Sequence, residues 1–123
     1  RKVLGGGMRQ AGVLAAAALY ALEHHVERLA EDHANAQRLA EGIRRIDPLR
    51  LEPETVDTNL VFFHVSDAWG SAAEFVDRLK QRGVLMLATG PATLRACTHL
   101  DVSEADVDRA LRAIEEVARR DGD

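Results

Sequence analysis

The sequence predicts an α+β domain, in which a small sheet of three or more strands is covered on one face by helices. Three observations predict this class. A long helical pattern runs from about residue 8 to residue 46, and three short segments rich in apolar and β-branched residues follow it. Two further helical patterns lie between and after those segments. Elements of both kinds in one short chain pack as layers around a single core.

The first helical pattern runs from about Met8 to Ile46, with apolar residues at spacings of three and four, and Pro48 ends it. Such a length is unusual for one helix in a small domain, so we expect a break or bend near residues 32–35. Residues 13–22 are apolar on almost every side. A helix of that kind needs a covering surface, which further sequence or another subunit would supply.

The next segments predict a sheet. Residues 47–54 contain two prolines and are interpreted as turns. The three predicted strands are residues 58–65, 84–87 and 94–99.

Two helices complete the predicted architecture. Ser71 is a plausible N-cap for a helix that ends at Gly83, where a left-handed residue would close it. Ser103, with Asp106 three residues later, has the spacing of a capping box and predicts the start of the last helix.

Composition excludes several classes of function. With 123 residues, 46% hydrophobic and 29% charged, the chain resembles one ordinary globular domain. A net charge of −4 with interspersed signs and no basic face argues against a nucleic-acid partner, and no apolar run is long enough for a membrane span. The single cysteine, Cys97, fits a reducing compartment, so we expect a cytoplasmic protein.

A glycine cluster at residues 5–7 precedes the first helix, with Lys2 and Arg9 on either side. It does not match a dinucleotide-binding fingerprint or a P-loop, because Gln10 and Val13 stand where a glycine and a lysine are needed. Two interpretations stay open. The glycines form a tight turn against a neighbouring backbone, or they form an anion site together with Arg9 and the helix N-terminus.

Arg95 is the second candidate for ligand binding. Strand alternation places it on the same side as Cys97 and His99, opposite the apolar Leu94 and Ala96. Either it points to solvent, or its planar guanidinium binds a carboxylate through two parallel hydrogen bonds.

The remaining reactive side chains predict no catalytic set. The five histidines lack the spacing of metal ligands, so no metal site is predicted. Cys97 lies in an apolar segment without a His or Cys at ligand spacing, and we expect it to be a buried structural residue. No Ser-His-Asp pattern occurs.

Three stretches resemble the low-specificity and L-allo-threonine aldolases, which are pyridoxal-phosphate enzymes of fold type I, the aspartate-aminotransferase fold. They are residues 2–16 (KVLGGGMRQAGVLAA), residues 58–63 (TNLVFF) and residues 94–103 (LRACTHLDVS). They follow one another in the order of the family and span almost the whole chain.

The resemblance implies a place in a larger enzyme. Residues 1–31 would be the end of its large domain, comprising the glycine turn and the long helix. Residues 32–123 would be the small C-terminal domain, with a mostly antiparallel sheet and helices on one face. It further implies self-association as a homo-oligomer, a dimer or a tetramer.

The resemblance also implies a cofactor and site residues. Lys2 and Arg9 would bind the phosphate of pyridoxal 5′-phosphate, and Arg95 would bind the α-carboxylate of a small amino-acid substrate. The lysine that forms the Schiff base lies upstream in the family, and neither Lys2 nor Lys80 fits its context. No catalytic residue is therefore expected here, and the chain alone is expected to be inactive.

The parent protein is thus expected to cleave L-threonine or L-allo-threonine to glycine and acetaldehyde. Two alternatives stay open. One is another pyridoxal-phosphate lyase or aminotransferase of the same fold. The other is a non-enzymatic α+β module that dimerises or binds a partner through its alanine-rich helix.

Overall fold

The computed structural model of the chain describes Val3 and residues 6–119. These residues form four helices and four strands. In chain order they are α1 (Gly12–His24), α2 (Leu29–Ile43), β1 (Leu49–Leu51), β2 (Leu60–Val65), α3 (Ala72–Gln81), β3 (Leu87–Ala88), β4 (Thr93–Cys97) and α4 (Glu104–Ala118).

The strands form one antiparallel sheet in the order β1-β2-β4-β3. The two central strands, β2 and β4, pair from Leu60 opposite Cys97 to His64 opposite Thr93. The predicted strands at 58–65 and 94–99 are confirmed with shorter bounds. The predicted fold class, a small antiparallel sheet with helices on one face, is confirmed as well.

The helices cover one face of this sheet. α2 packs on β1 and β2, α3 packs on β3 and β4, and α4 packs against both α2 and α3. The core between these layers is apolar, and its largest fully buried side chains are Phe63, Phe75, Ile43, Leu79, Leu94 and Ile114. Leu60, Phe62 and His64, on the opposite face of β2, stay partly exposed.

The edge strand β1 corrects the interpretation of residues 47–54 as turns. Leu49 and Leu51 are buried and Arg50 between them is exposed, which is the alternation of a strand. The segment is three residues long and lies between Pro48 and Pro53, so local sequence hides it. Pairing with β2 supplies the ladder that makes it a strand.

The predicted strand at residues 84–87 is largely wrong, because only Leu87 and Ala88 pair with β4. The backbone N–H of Val84 instead donates to the Leu79 carbonyl at 3.0 Å, which closes the C-terminus of α3. Gly83 has a φ of +78°, as predicted for the residue that ends this helix.

Both predicted helix starts are confirmed. Ser71 caps α3 by accepting a hydrogen bond from the Glu74 N–H. At α4, Ser103 Oγ accepts from the Asp106 N–H at 3.2 Å, and Asp106 Oδ2 accepts from the Ser103 N–H at 3.0 Å. The pKa of Asp106 is lowered to about 2 by the Ser103 hydroxyl, which donates to Oδ2 at 2.6 Å, then by the Ser103 N–H and by Arg109.

The break in the first helical pattern lies earlier than residues 32–35. Turn residues 25–28 separate α1 from α2, and residues 32–35 are helical. Residues 32–35 also make contacts with distant parts of the chain. The Asp32 carbonyl accepts from Thr98 Oγ1 at 2.7 Å, and Asn35 Nδ2 donates to the Val102 carbonyl at 3.0 Å.

Helix α1 differs from the rest of the fold because none of its residues is buried. Val13 is 75% exposed and Leu22 is 67% exposed. The apolar helix itself is confirmed, and the described residues offer no surface that covers it. None of the helices in the described ranges combines the length and apolar composition that crossing a bilayer requires.

Candidate functional site

The candidate site lies on the face of the sheet that the helices leave open. In β4, Leu94 and Ala96 are buried towards the helices, whereas Arg95 and Cys97 alternate to the other side. The predicted alternation is therefore confirmed, and it directs Arg95 away from the core.

Arg95 has an unusual environment for an arginine. Three arginines in the described ranges are half-buried, namely Arg28, Arg78 and Arg95. Arg28 pairs with Asp32 at 3.4 Å and Arg78 pairs with Glu74 at 3.2 Å. Within residues 6–119, no carboxylate is close enough to Arg95 for an ion pair.

This combination makes Arg95 available to an external anion. A half-buried arginine has fewer contacts with water than an exposed one, and a carboxylate ligand can bind its guanidinium through two parallel hydrogen bonds. β4 is hydrogen-bonded to β2 on one side and to β3 on the other, and this pairing holds the backbone of Arg95 in place.

A polar cluster occupies the adjacent row of the same open face. Arg50, His64 and Thr93 lie opposite one another on three neighbouring strands. Glu52 Oε2 is 3.1 Å from Arg50 Nη2 and 3.1 Å from His64 Nε2, and His64 Nε2 is 3.4 Å from Thr93 Oγ1.

Sequence reasoning missed this cluster. Its members come from segments far apart in the chain, and Glu52 stood in a predicted turn. The signal that could have found it is the alternation Leu49-Arg50-Leu51, which marks the edge strand.

Of the two predicted phosphate-binding residues, Lys2 and Arg9, the structure describes only Arg9. Lys2 lies outside the described residues. Arg9 is exposed in the turn just before α1, and no carboxylate within the described ranges pairs with it. The N-terminus of α1 has no side-chain cap and no acidic residue in its first turn, so its N–H groups and Arg9 present positive potential to solvent.

Of the glycine cluster, Gly5 lies outside the described residues, and the surroundings of Gly7 and of the nearby Gly12 are open. A Cβ atom at Gly7 or Gly12 would meet no atom within 4 Å. The structure also does not bring Arg9 together with Arg95, because α1 makes no extended contact with the sheet.

The expectation of a buried Cys97 is wrong. Its thiol is free and exposed, because odd-numbered residues of β4 face away from the core. It borders a cavity of about 360 Å³ that Met86, Val102 and Arg109 also line. Among the described residues, no three His, Cys, Asp or Glu side chains converge as a metal site requires.

The fold is that of the C-terminal small domain of pyridoxal-phosphate enzymes of fold type I. The chain matches Rhodiola rosea 4-hydroxyphenylacetaldehyde synthase with a TM-score of 0.63 and 20% identity, over 80% of this chain and 23% of that enzyme. It matches Plasmodium yoelii ornithine aminotransferase with a TM-score of 0.59 and 14% identity, over 75% and 24% of the two chains. Identities this low show the fold alone.

Curated relatives lie closer in sequence. A probable low-specificity L-threonine aldolase 2 of Arabidopsis thaliana is 41% identical over 95% of this chain and 33% of its own length. A low specificity L-threonine aldolase of Escherichia coli (strain K12) is 46% identical over 84% of this chain and 29% of its own length. The chain therefore spans about a third of the length of the curated relatives that it matches.

The family model described as beta-eliminating lyase matches residues 1–68, which is more than half of the chain. The chain belongs to the beta-eliminating lyase family. The resemblance to threonine aldolases stated from the sequence motifs is confirmed by these relatives.

Proposed function

We propose that this chain is the C-terminal part of a threonine aldolase that uses pyridoxal 5′-phosphate and cleaves L-threonine or L-allo-threonine to glycine and acetaldehyde. Family membership and the names of the relatives support the reaction class. The observation that carries the proposal is Arg95, a half-buried arginine on the open sheet face without an acidic partner in the described residues.

Arg95 binds the α-carboxylate of the amino-acid substrate in this proposal. A bidentate guanidinium fixes both the position and the rotation of a carboxylate. Fixing that end of a small substrate also sets the direction of its Cα–Cβ bond, which is the bond that breaks.

Arg9 and Lys2 bind the phosphate of the cofactor in the assembled enzyme. Exposed Arg9, unpaired within the described ranges, and the uncapped N-terminus of α1 have the donor chemistry that a phosphate needs. The cofactor, when bound, supplies the electron sink for cleavage next to the amino group. The lysine that anchors it is proposed to lie in the upstream part of the parent protein.

The division into a large-domain end, residues 1–31, and a small domain, residues 32–123, is part of the same proposal. The exposed apolar surface of α1 supports it, since this helix has no cover among the described residues, whereas α2 belongs to the core. We further propose that the parent enzyme is a cytoplasmic homo-oligomer, a dimer or tetramer. No membrane or nucleic-acid partner is proposed.

Another pyridoxal-phosphate lyase or aminotransferase remains the second candidate. The fold is shared with an ornithine aminotransferase, and an arginine that binds a carboxylate serves any amino-acid substrate. Product analysis separates the candidates, because only an aldolase forms acetaldehyde from threonine.

The third hypothesis is a non-enzymatic dimerisation module. It requires a native protein of 13.5 kDa, so the intact mass of the native protein tests it.

The experiment is the Arg95→Ala substitution in the full-length parent enzyme. We expect KM for threonine to rise by at least about tenfold and kcat/KM to fall accordingly, since a charged hydrogen-bonded contact contributes about 1.5–3 kcal/mol. Acetaldehyde release is the measurement. An unchanged KM would refute the role of Arg95.

Two controls accompany it. Arg45→Ala removes an exposed arginine that has no ion pair within the described ranges, and it should leave KM unchanged. The isolated chain of residues 1–123 with added cofactor should release no acetaldehyde. Turnover by the isolated chain would contradict the proposed upstream lysine.

A further inference from the structure

The row of side chains across the open face at Arg95 has an apolar residue on each side. Arg95 lies opposite Phe62 of β2 and opposite Leu87 of β3. Directly opposed residues of antiparallel strands share one face and have Cβ atoms about 4.5–5.5 Å apart. The order across the three strands is therefore Phe62, Arg95, Leu87.

The neighbouring rows lack this arrangement. Thr93 lies opposite the polar His64, and Cys97 lies opposite Leu60 on one side only, because β3 begins at Leu87 and does not extend to that row. Among these three rows of β4, two-sided apolar flanking occurs at Arg95, which is a half-buried arginine without an ion pair in the described ranges.

We propose that Phe62 and Leu87 are positioning residues, which hold the Arg95 side chain in the orientation that binds the substrate carboxylate. This inference rests on the proposed function. An arginine side chain has many rotamers, and no ion pair within the described residues restricts those of Arg95. Apolar walls on both sides confine its methylene stem, and they exclude water beside the guanidinium, which strengthens its attraction to a carboxylate.

Phe62 and Leu87 lie outside the core, so each can be replaced without unfolding the protein. Leu87 is 51% exposed and Phe62 is half-buried on the face opposite the core. Truncating either one removes surface beside Arg95 and leaves the packed layer under the helices intact. Leu60 is a matched control, because it is an exposed apolar residue of the same strand and face and lies one row away.

The experiment uses the full-length enzyme loaded with its cofactor and compares Phe62→Ala, Leu87→Ala and Leu60→Ala. We expect each of the first two to raise KM for threonine by about fivefold with kcat changed less than about twofold. Leu60→Ala should leave both constants unchanged. Phe62→Leu, which keeps an apolar wall, should restore most of the lost affinity.

A double-mutant cycle with Arg95→Ala identifies the route of the effect. If Phe62 and Leu87 act through Arg95, adding either substitution to Arg95→Ala raises KM no further. An equal rise in both backgrounds overturns the proposal, because the walls would then act independently of Arg95. Equal KM values for Phe62→Ala, Leu87→Ala and Leu60→Ala overturn it as well.

The cycle also separates this inference from the proposed function. If Arg95→Ala raises KM while the two wall variants behave as the wild type, the positioning role fails and the carboxylate role stands. If Arg95→Ala leaves KM unchanged, both fail. Equal melting temperatures of all variants exclude a loss of folding as the cause of a raised KM.

Discussion

The side chain of Asp106 stabilises the start of helix α4. Its carboxylate accepts hydrogen bonds from the backbone and hydroxyl of Ser103, at 3.0 and 2.6 Å, at the start of α4. The N-terminus of a helix favours negative charge, so the ionised form of Asp106 stabilises the helix.

The pH dependence of stability follows from the pKa of Asp106. This pKa is about 2 in the folded protein and 3.8 in the unfolded chain, so the unfolded state binds the proton more readily. The stabilisation is complete above about pH 3.8 and is lost as pH falls through 2. Asp106→Asn should therefore unfold at lower urea concentration than wild type at pH 7, and the two midpoints should converge near pH 2.

The control for this comparison is Asp57→Asn, an exposed residue outside the helices. It should leave the urea midpoint unchanged at both pH values. A constant difference between Asp106→Asn and wild type from pH 7 to pH 2 would contradict the assigned role of the carboxylate.

At the scale of elements, the approach of α2 to α4 depends on one glycine. A Cβ atom at Gly42 would lie 2.3 Å from Leu111 Cδ2 and 2.6 Å from Leu111 Cδ1. The helices are further joined by Arg38 and Asp108, whose Nε and Oδ1 atoms are 2.7 Å apart, and this contact lowers the pKa of Asp108. Gly42 therefore makes room for a side chain of the facing helix.

This packing predicts that the effect of Gly42→Ala on the free energy of unfolding has opposite signs with Leu111 present and with Leu111 replaced by alanine. Gly42→Ala should lower the free energy of unfolding of the chain by up to about 2 kcal/mol, because overpacking costs about 1–3 kcal/mol and the higher helix propensity of alanine offsets about 1 kcal/mol of it. In the Leu111→Ala background the clash is gone, and Gly42→Ala should raise it by about 1 kcal/mol. Urea unfolding of the four variants measures both effects, and the same sign in both backgrounds would refute the steric explanation.

At the scale of the whole molecule, α1 stands apart from the packed layers. It carries apolar residues around its circumference, and none is buried. The chain spans about a third of the length of its curated relatives. The proposed place of residues 1–31 in a large domain would supply a cover for this helix.

An exposed apolar helix should drive association of the isolated chain. We expect residues 1–123 to sediment as oligomers at micromolar concentration, and Leu14→Glu with Leu22→Glu to shift the chain towards monomer. Leu85→Glu is the control, since Leu85 is 79% exposed but lies outside α1. A chain that is monomeric throughout, or an equal effect of Leu85→Glu, would show that α1 does not mediate association.

Local sequence was sufficient for the features that depend on neighbouring residues. The cap at Ser71, the capping box at Ser103, the left-handed Gly83 and the two central strands were all predictable. Alternation along β4 also placed Arg95 on the open face, because side chains of a strand point to opposite faces in turn.

Contacts between distant segments decided the rest. The edge strand β1 exists through its pairing with β2. Thr98 donates to the Asp32 carbonyl and the Val102 carbonyl accepts from the Asn35 side chain, and these contacts join α2 to residues far along the chain. The flanking of Arg95 by Phe62 and Leu87 depends on strand register, which spacing along the chain does not specify. The sequence by itself determined the two capped helices, the central strands and the face on which Arg95 lies. The tertiary structure decided the surroundings of Arg95, because those come from strands far apart in the chain.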